Sequence, residues 1–242
     1  MTAALAIVPV DVDDRSAPLG CAALRRLRGR PLLAWSVHAL SSSGAVPLTL
    51  VAVPPALEEA VADVLRAEPP DQVQVLPVHA AGPGVRVRAA LESAAGRQGA
   101  ADAEDVVVVH DPLHPLSSAA SVRAVVDRLI ATPGGAASAP ARPVTDTLKW
   151  VDEDEVVQDT ANREGYRMVY SPQAFHRAAL AGALASAPDD ALRGHGADAL
   201  LRLVQARGGT VTLVPSPGEA LRVAGQEDLV LVEALLQVDA SR

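Results

Sequence analysis

Apolar residues along the 242-residue chain follow two rhythms. Short runs at Leu5–Val10 (LAIVPV, weakened by Pro9), Leu48–Val53 (LTLVAV), Val73–Val78 and Asp105–Val109 (DVVVV) read as strands, and the continuous apolar LTLVAV as one buried on both faces. Between them, apolar residues recur at helical spacing. Helices are predicted over Pro31–Leu40, with Pro31 in the first turn, over Leu57–Leu65, over Val85–Ala95, and over Ser118–Ile130 with Ser117 or Ser118 as N-cap. Pro54-Pro55 ends the second strand, and Ala136–Ala141 predicts a further short one. This alternation predicts an α/β fold, with a doubly wound, mostly parallel sheet covered by helices on both faces.

The rhythm breaks between Val144 and Tyr170. That stretch is polar, and the acidic turn Asp152–Glu155 separates two β-prone pieces. It predicts a β-arm leaving the main body. Helices are expected again over Pro172–Ala185 and Ala197–Ala206, a strand over Thr210–Val214, and a terminal helix over Gln226–Val238. No internal repeat is visible, so residues 1–242 read as one domain with 144–170 as its arm.

Hydrophobic residues make up 49% of the chain and charged residues 21%, which is globular composition. Aromatics are only 2%, so the core must come from Val, Leu, Ala and Ile. A formal charge of −8 argues against a general nucleic-acid partner, whose backbone needs a basic surface. The single Cys21 excludes an internal disulfide framework and a cysteine-based zinc site. No apolar run approaches the ~18 residues of a membrane span, and the first residues lack the basic start of a secretion signal. A cytoplasmic protein without membrane contact is expected.

In an open parallel sheet, ligands bind beyond the carboxyl ends of the strands. The loop after Val109 reads His110-Asp111-Pro112-Leu113-His114-Pro115-Leu116. Asp111, just past a buried strand, is placed either to ligate a metal bridging phosphate oxygens or simply to turn the chain or cap a helix. His110 and His114 beside it suggest zinc, but no third ligand is evident. Ser117, Ser171 and Ser41–Ser43 do not lie in a nucleophile-elbow pattern. Pro143–Lys149 (PVTDTLK) offers hydroxyls, a carboxylate and an amine suited to a phosphorylated polyol, or else to a polar hairpin entrance.

Five segments, in order, resemble the 2-C-methyl-D-erythritol 4-phosphate cytidylyltransferases of isoprenoid biosynthesis. They are Gly29–Ser36 at the first helix, Val109–Asp111 with Pro115-Leu116, Pro143–Lys149, Ser171–Phe175, and Glu219–Val223 followed by Gln226–Leu229, which resemble the family's C-terminal strand and helix start. The resemblance implies a Rossmann-like nucleotidyltransferase sheet and a β-arm that interlocks two subunits into a homodimer. It implies CTP and a phosphorylated polyol as substrates, with Mg2+ held by Asp111. Pro9, Val10, Ala81, Gly82 and Arg86 fall at nucleotide-binding positions. Thr145, Asp146, Thr147 and Lys149 fall at substrate positions, and Arg15, Arg163 and Arg222 at catalytic ones.

The chain departs from the family pattern where the first strand ends. The family has a Gly-rich loop followed by a Pro-Lys pair, and its glycines let backbone N–H groups approach a triphosphate. This chain has Asp11, Val12, Asp13 and Asp14 there, and Cys21-Ala22 at the Pro-Lys positions. Arg86 stands at the position of a Ser near the Gly-Gly motif with which the family frames the cytosine, and His114 replaces an Arg. The acidic loop is expected to place unpaired carboxylates against a polyphosphate. Two readings follow: an enzyme that activates a phosphorylated polyol with CTP, or a catalytically silent paralogue that keeps the dimeric scaffold as a binding or regulatory protein.

Overall fold

The computed structural model describes residues 4–12, 17–66, 72–79, 81–95, 106–193, 198–216 and 221–239. The first half builds β1 (Leu5–Pro9), a small hairpin of β2 (Arg26–Leu27) and β3 (Arg30–Pro31), α1 (Leu32–Ser41), β4 (Leu48–Val53), α2 (Glu58–Val64), β5 (Val73–Pro77), α3 (Pro83–Ala95) and β6 (Val106–Val109). The second half adds α4 (Ala119–Ile130), β7 (Gly135–Pro143), β8 (Lys149–Val151), β9 (Val157–Thr160), β10 (Arg167–Val169), β11 (Gln173–His176), α5 (Arg177–Ser186), α6 (Ala199–Ala206), β12 (Thr210–Pro215) and α7 (Gln226–Asp239).

The main sheet has eight strands in the order β10-β7-β11-β6-β1-β4-β5, with β12 also paired to β7. β1 pairs in parallel with β4 and β6, β4 pairs in parallel with β5, and β12 pairs in parallel with β7. β11 and β10 run antiparallel to their neighbours. The sheet is therefore mixed and mainly parallel. Strands pack on both faces because successive side chains alternate. Leu5 and Ile7 of β1 join the core with α3, α5 and α6, while Ala6 and Val8 join the core with α1, α2, α4 and α7. That two-sided burial is why these strands read as unbroken apolar runs. No helix among the described residues is long and apolar enough to cross a membrane.

Ser118 is the N-cap of α4, accepting a hydrogen bond from the Ser121 N–H at 3.1 Å. Three expectations need correction. The helix predicted from Pro172 begins only at Arg177, because Gln173–His176 is strand β11, wedged between β6 and β7. Ala174 and Phe175 are both fully buried, one in each core, which is the alternation of a central strand and not of a helix. Pro31 lies before α1 in extended backbone (φ −57°, ψ 145°) rather than in its first turn. Leu221–Ala224 form no strand, although Val223 is buried and its N–H donates to the Leu113 carbonyl at 2.7 Å. Glu219 and Ala220, from the same sequence segment, lie outside the described residues.

The arm departs after β7, folds as the separate β8–β9 hairpin, and returns through β10 to the main sheet. Asp152 holds its acidic turn by accepting hydrogen bonds from the Asp154 and Val156 N–H groups and from Gln158. The Val156 bond contributes most to keeping its carboxyl below the usual range, partial desolvation works the other way, and the remaining bonds add to the lowering.

Candidate active site

The chain passes from β1 through β4 to β5 at one edge of the sheet, then crosses back to place β6 on the other side of β1. In doubly wound sheets the crevice at such a switch point, beyond the strands' carboxyl ends, is where ligands bind. A pocket opens there. It is lined by Pro9 and Asp11 at the end of β1, Val109 and Asp111 at the end of β6, and Arg222 from the segment before α7, among others.

Asp111 is fixed from several sides. Its Oδ1 accepts the Leu113 N–H at 2.9 Å, which tightens the turn after β6. Its Oδ2 accepts from Arg222 Nε at 2.8 Å and lies 3.5 Å from His114 Nδ1. Burial alone would raise its carboxyl, but the nearby His114 ring, the Arg222 guanidinium and the Leu113 N–H together hold it below the usual carboxylate range. The backbone N–H of Asp111 donates to Ser171 Oγ at 2.8 Å, and that hydroxyl lies 2.8 Å from His110 Nδ1. His110 is fully buried and its pKa is pushed down to about 3, first by desolvation and then by His114, against a smaller opposing effect of Asp111. Among the described residues, no group of three His, Cys, Asp or Glu side chains is arranged to hold a metal.

At the loop after β1 the structure corrects the expectation of an unpaired carboxylate for Asp11. Asp11 has partners on both oxygens. Its Oδ1 accepts from Arg86 Nη2 at 2.7 Å, and its Oδ2 accepts the Gly82 N–H at 3.1 Å. Attraction to a buried guanidinium at the start of α3 draws the carboxylate inward. Asp13, Asp14 and the candidate Arg15 lie outside the described residues.

Pro9 lines the pocket, while Val10 is fully buried and its N–H continues the sheet by donating to the Ala52 carbonyl at 2.8 Å. Ala81 is exposed, and Gly82 and Arg86 sit behind Asp11 and do not line the pocket. Ala22 is buried in the core. Thr145, Asp146, Thr147, Lys149 and Arg163 are exposed on the arm, away from the pocket lining. There Arg163 donates to the Thr145 carbonyl, and Lys149 Nζ donates to Thr160 Oγ1 at 2.6 Å. The structure thus brings Asp111 and Arg222 together and leaves the arm residues apart from them within one chain.

Sequence reasoning missed the part played by Ser171, by Gln173, and by the turn Ala191–Arg193, which borders the pocket through Ala191 and Leu192. The signal for that turn is the pair Gly82 and Gly84. A Cβ on Gly82 would lie 2.8 Å from Arg193 Cα, and one on Gly84 2.8 Å from the Leu192 carbonyl oxygen. Only glycine permits that approach.

A mainly parallel sheet flanked by helices, with a carboxylate and a guanidinium at its switch point, defines a Rossmann-like nucleotidyltransferase fold. The sequence profile of the 2-C-methyl-D-erythritol 4-phosphate cytidylyltransferases matches residues 14–238, and the chain belongs to that family. The enzyme of that name from Frankia casuarinae is 38% identical over 221 residues, covering 88% of this chain and 73% of its own. The crystal structure of the Thermus thermophilus enzyme has a TM-score of 0.71 at 30% identity, covering 98% of this chain and 100% of its own. The 4-diphosphocytidyl-2C-methyl-D-erythritol synthase structure from Anaerococcus prevotii shares the fold, with a TM-score of 0.77 at 18% identity and coverage of 98% and 99%.

Proposed function

We propose that the chain transfers the cytidylyl group of CTP to 2-C-methyl-D-erythritol 4-phosphate. An oxygen of the polyol phosphate attacks the α-phosphorus of CTP, a new P–O bond forms, the α–β P–O bond breaks, and pyrophosphate leaves. The observation that carries this reading is the Asp111–Arg222 pair at 2.8 Å in the pocket beyond β1 and β6. Transfer at phosphorus depends mainly on positioning and on compensating charge that builds on the phosphoryl oxygens. Arg222, one-third exposed at its side chain and lining the pocket, is a cation placed for such oxygens. Asp111 is an oxygen ligand kept in its charged form, which suits Mg2+, an ion commonly bound by one or two carboxylates together with substrate phosphates. When bound, Mg2+ would offset negative charge on the α-phosphate.

Thr145, Asp146, Thr147, Lys149 and Arg163 are assigned to the polyol phosphate, reached from the arm of a second subunit. Support for that arrangement is the apolar surface of the arm: Trp150 is 71% exposed, Val156 and Val157 are each 55% exposed, and Tyr166 is 52% exposed. A face of this kind suits contact with another protein surface. Arg15 is assigned to the triphosphate by its position alone.

The test is pyrophosphate release, with the product mass, from Mg–CTP and the polyol phosphate. Asp111→Asn should lower turnover by about 100-fold with little change in the unfolding midpoint. Absence of the cytidylylated product from the wild-type protein, or unchanged turnover in Asp111→Asn, overturns the assignment.

A further inference from the structure

The start of α3 carries a donor set that is already filled. Gly82 offers a backbone N–H beside the positive end of a 13-residue helix. Arg86 offers a guanidinium that is 3% exposed, anchored by Nη1 to the Val78 carbonyl at 3.2 Å, with Nε lacking a hydrogen-bond partner among the described residues. A helix-start N–H and a buried guanidinium together suit an anionic or carbonyl oxygen. Here both oxygens come from Asp11. Asp11 lines the pocket, whereas Gly82 and Arg86 do not, so the carboxylate stands between these donors and any molecule in the pocket. The donors are also held in place, because the Gly82–Gly84 backbone presses against Leu192 and Arg193.

We propose that Asp11 and Arg86 are a specificity-determining pair: the Asp11 carboxylate occupies, from within the chain, the subsite that an acceptor oxygen of a bound nucleotide would otherwise use on Gly82 N–H and Arg86. This rests on the reading that the pocket takes a nucleotide. A ligand oxygen must displace a charge-assisted pair that is already formed and already ordered, so the α3 wall adds little net affinity. Sites discriminate strongly when unsatisfied donors are left by the wrong ligand. With its donors satisfied internally, this wall penalises no nucleotide for lacking an acceptor, and selectivity among bases is levelled.

The experiment is calorimetry on the full chain with the Mg2+ complexes of CTP, UTP, ATP and GTP. Wild type is compared with Asp11→Asn and with the double variant Asp11→Gly/Arg86→Ser, which frees the Gly82 N–H, puts a hydroxyl donor in place of the guanidinium, and strands no charge. Wild type should bind the four nucleotides within about threefold of one another, and the double variant should bind at least one of them about tenfold tighter. A wild-type protein that already prefers one nucleotide by about tenfold overturns the proposal, as does a folded double variant that binds no tighter. If nucleotide binds equally to both, the pair proposal alone falls and the nucleotide reading stands. If no nucleotide binds either folded form, both fall. Binding by the double variant only supports the internal occupation of the subsite. Should the double variant not fold, Asp11→Asn decides: tighter binding supports the proposal and unchanged binding overturns it.

Discussion

Two aspartate–arginine pairs border the pocket, and their settings differ. Asp111 and Arg222 have side chains 23% and 33% exposed and join two loops, whereas Asp11 and Arg86 are 15% and 3% exposed and join the end of β1 to α3. An ion pair near the surface keeps its water, is screened, and contributes little to stability. A pair taken out of water has lost hydration that the partner must replace, so removing one member leaves a charge stranded. The first pair can give up its internal contact to a ligand or an ion at small cost to the fold. The second is committed to holding β1 and α3 together. The same two side-chain chemistries therefore serve ligand contact on one wall and closure on the other.

The sharpest way to break this contrast is Arg86→Met. It fills most of the guanidinium's volume but leaves Asp11 without its cation. Denaturant unfolding should show a loss of about 3 kcal/mol, and adding Asp11→Gly should restore much of it, since no charge is then stranded. A single variant as stable as wild type would show that the pair is not a buried closure.

The Asp111 wall is far easier to anticipate from sequence than the Asp11 wall. Asp111 follows a run of four valines, so its place at the carboxyl end of a central strand can be read locally. The runs LTLVAV and DVVVV are similarly legible, because β-branched residues buried on both faces leave an unbroken apolar signature. Asp11 looks like one more charge in an acidic loop. Its partner is 75 residues away on another element, and nothing in the local pattern predicts that the two meet. Strand β11 is hidden for a related reason. Four residues between a proline and an alanine-rich helix carry too little periodicity, and only the flanking β6 and β7 show that both its faces are buried.

The two walls also differ in their sensitivity to acid, because the Asp111 wall includes His110. Desolvation first, and the nearby His114 second, depress the His110 pKa from 6.5 to about 3, with Asp111 partly opposing. Between those values the unfolded chain takes up a proton that the folded chain refuses, so stability falls as pH drops through 6.5 toward 3. In metal-free buffer, stability should decline by about 1–2 kcal/mol between about pH 7.5 and about pH 5. His110→Gln, measured over the same range, should lose most of that decline. An unchanged slope in the variant would assign the pH dependence to other groups.

The smallest expected effect completes the contrast. Arg222→Met removes the cation from the more open pair, leaving Asp111 with the Leu113 N–H and with His114 nearby. Because Asp111 keeps these partners and some access to water, the stability change should be below about 1 kcal/mol. That is well short of the change expected for Arg86→Met under identical conditions. The segment Leu221–Ala224 should stay in place, since Val223 is fully buried and bonded to the Leu113 carbonyl independently of the Arg222 side chain. Turnover, if the transfer reaction is measured, should fall despite the preserved fold, because the Arg222 guanidinium then no longer meets the phosphoryl oxygens. If Arg222→Met and Arg86→Met prove equally destabilising, the two pairs are structural alike, and the division between a ligand-facing wall and a closed one fails.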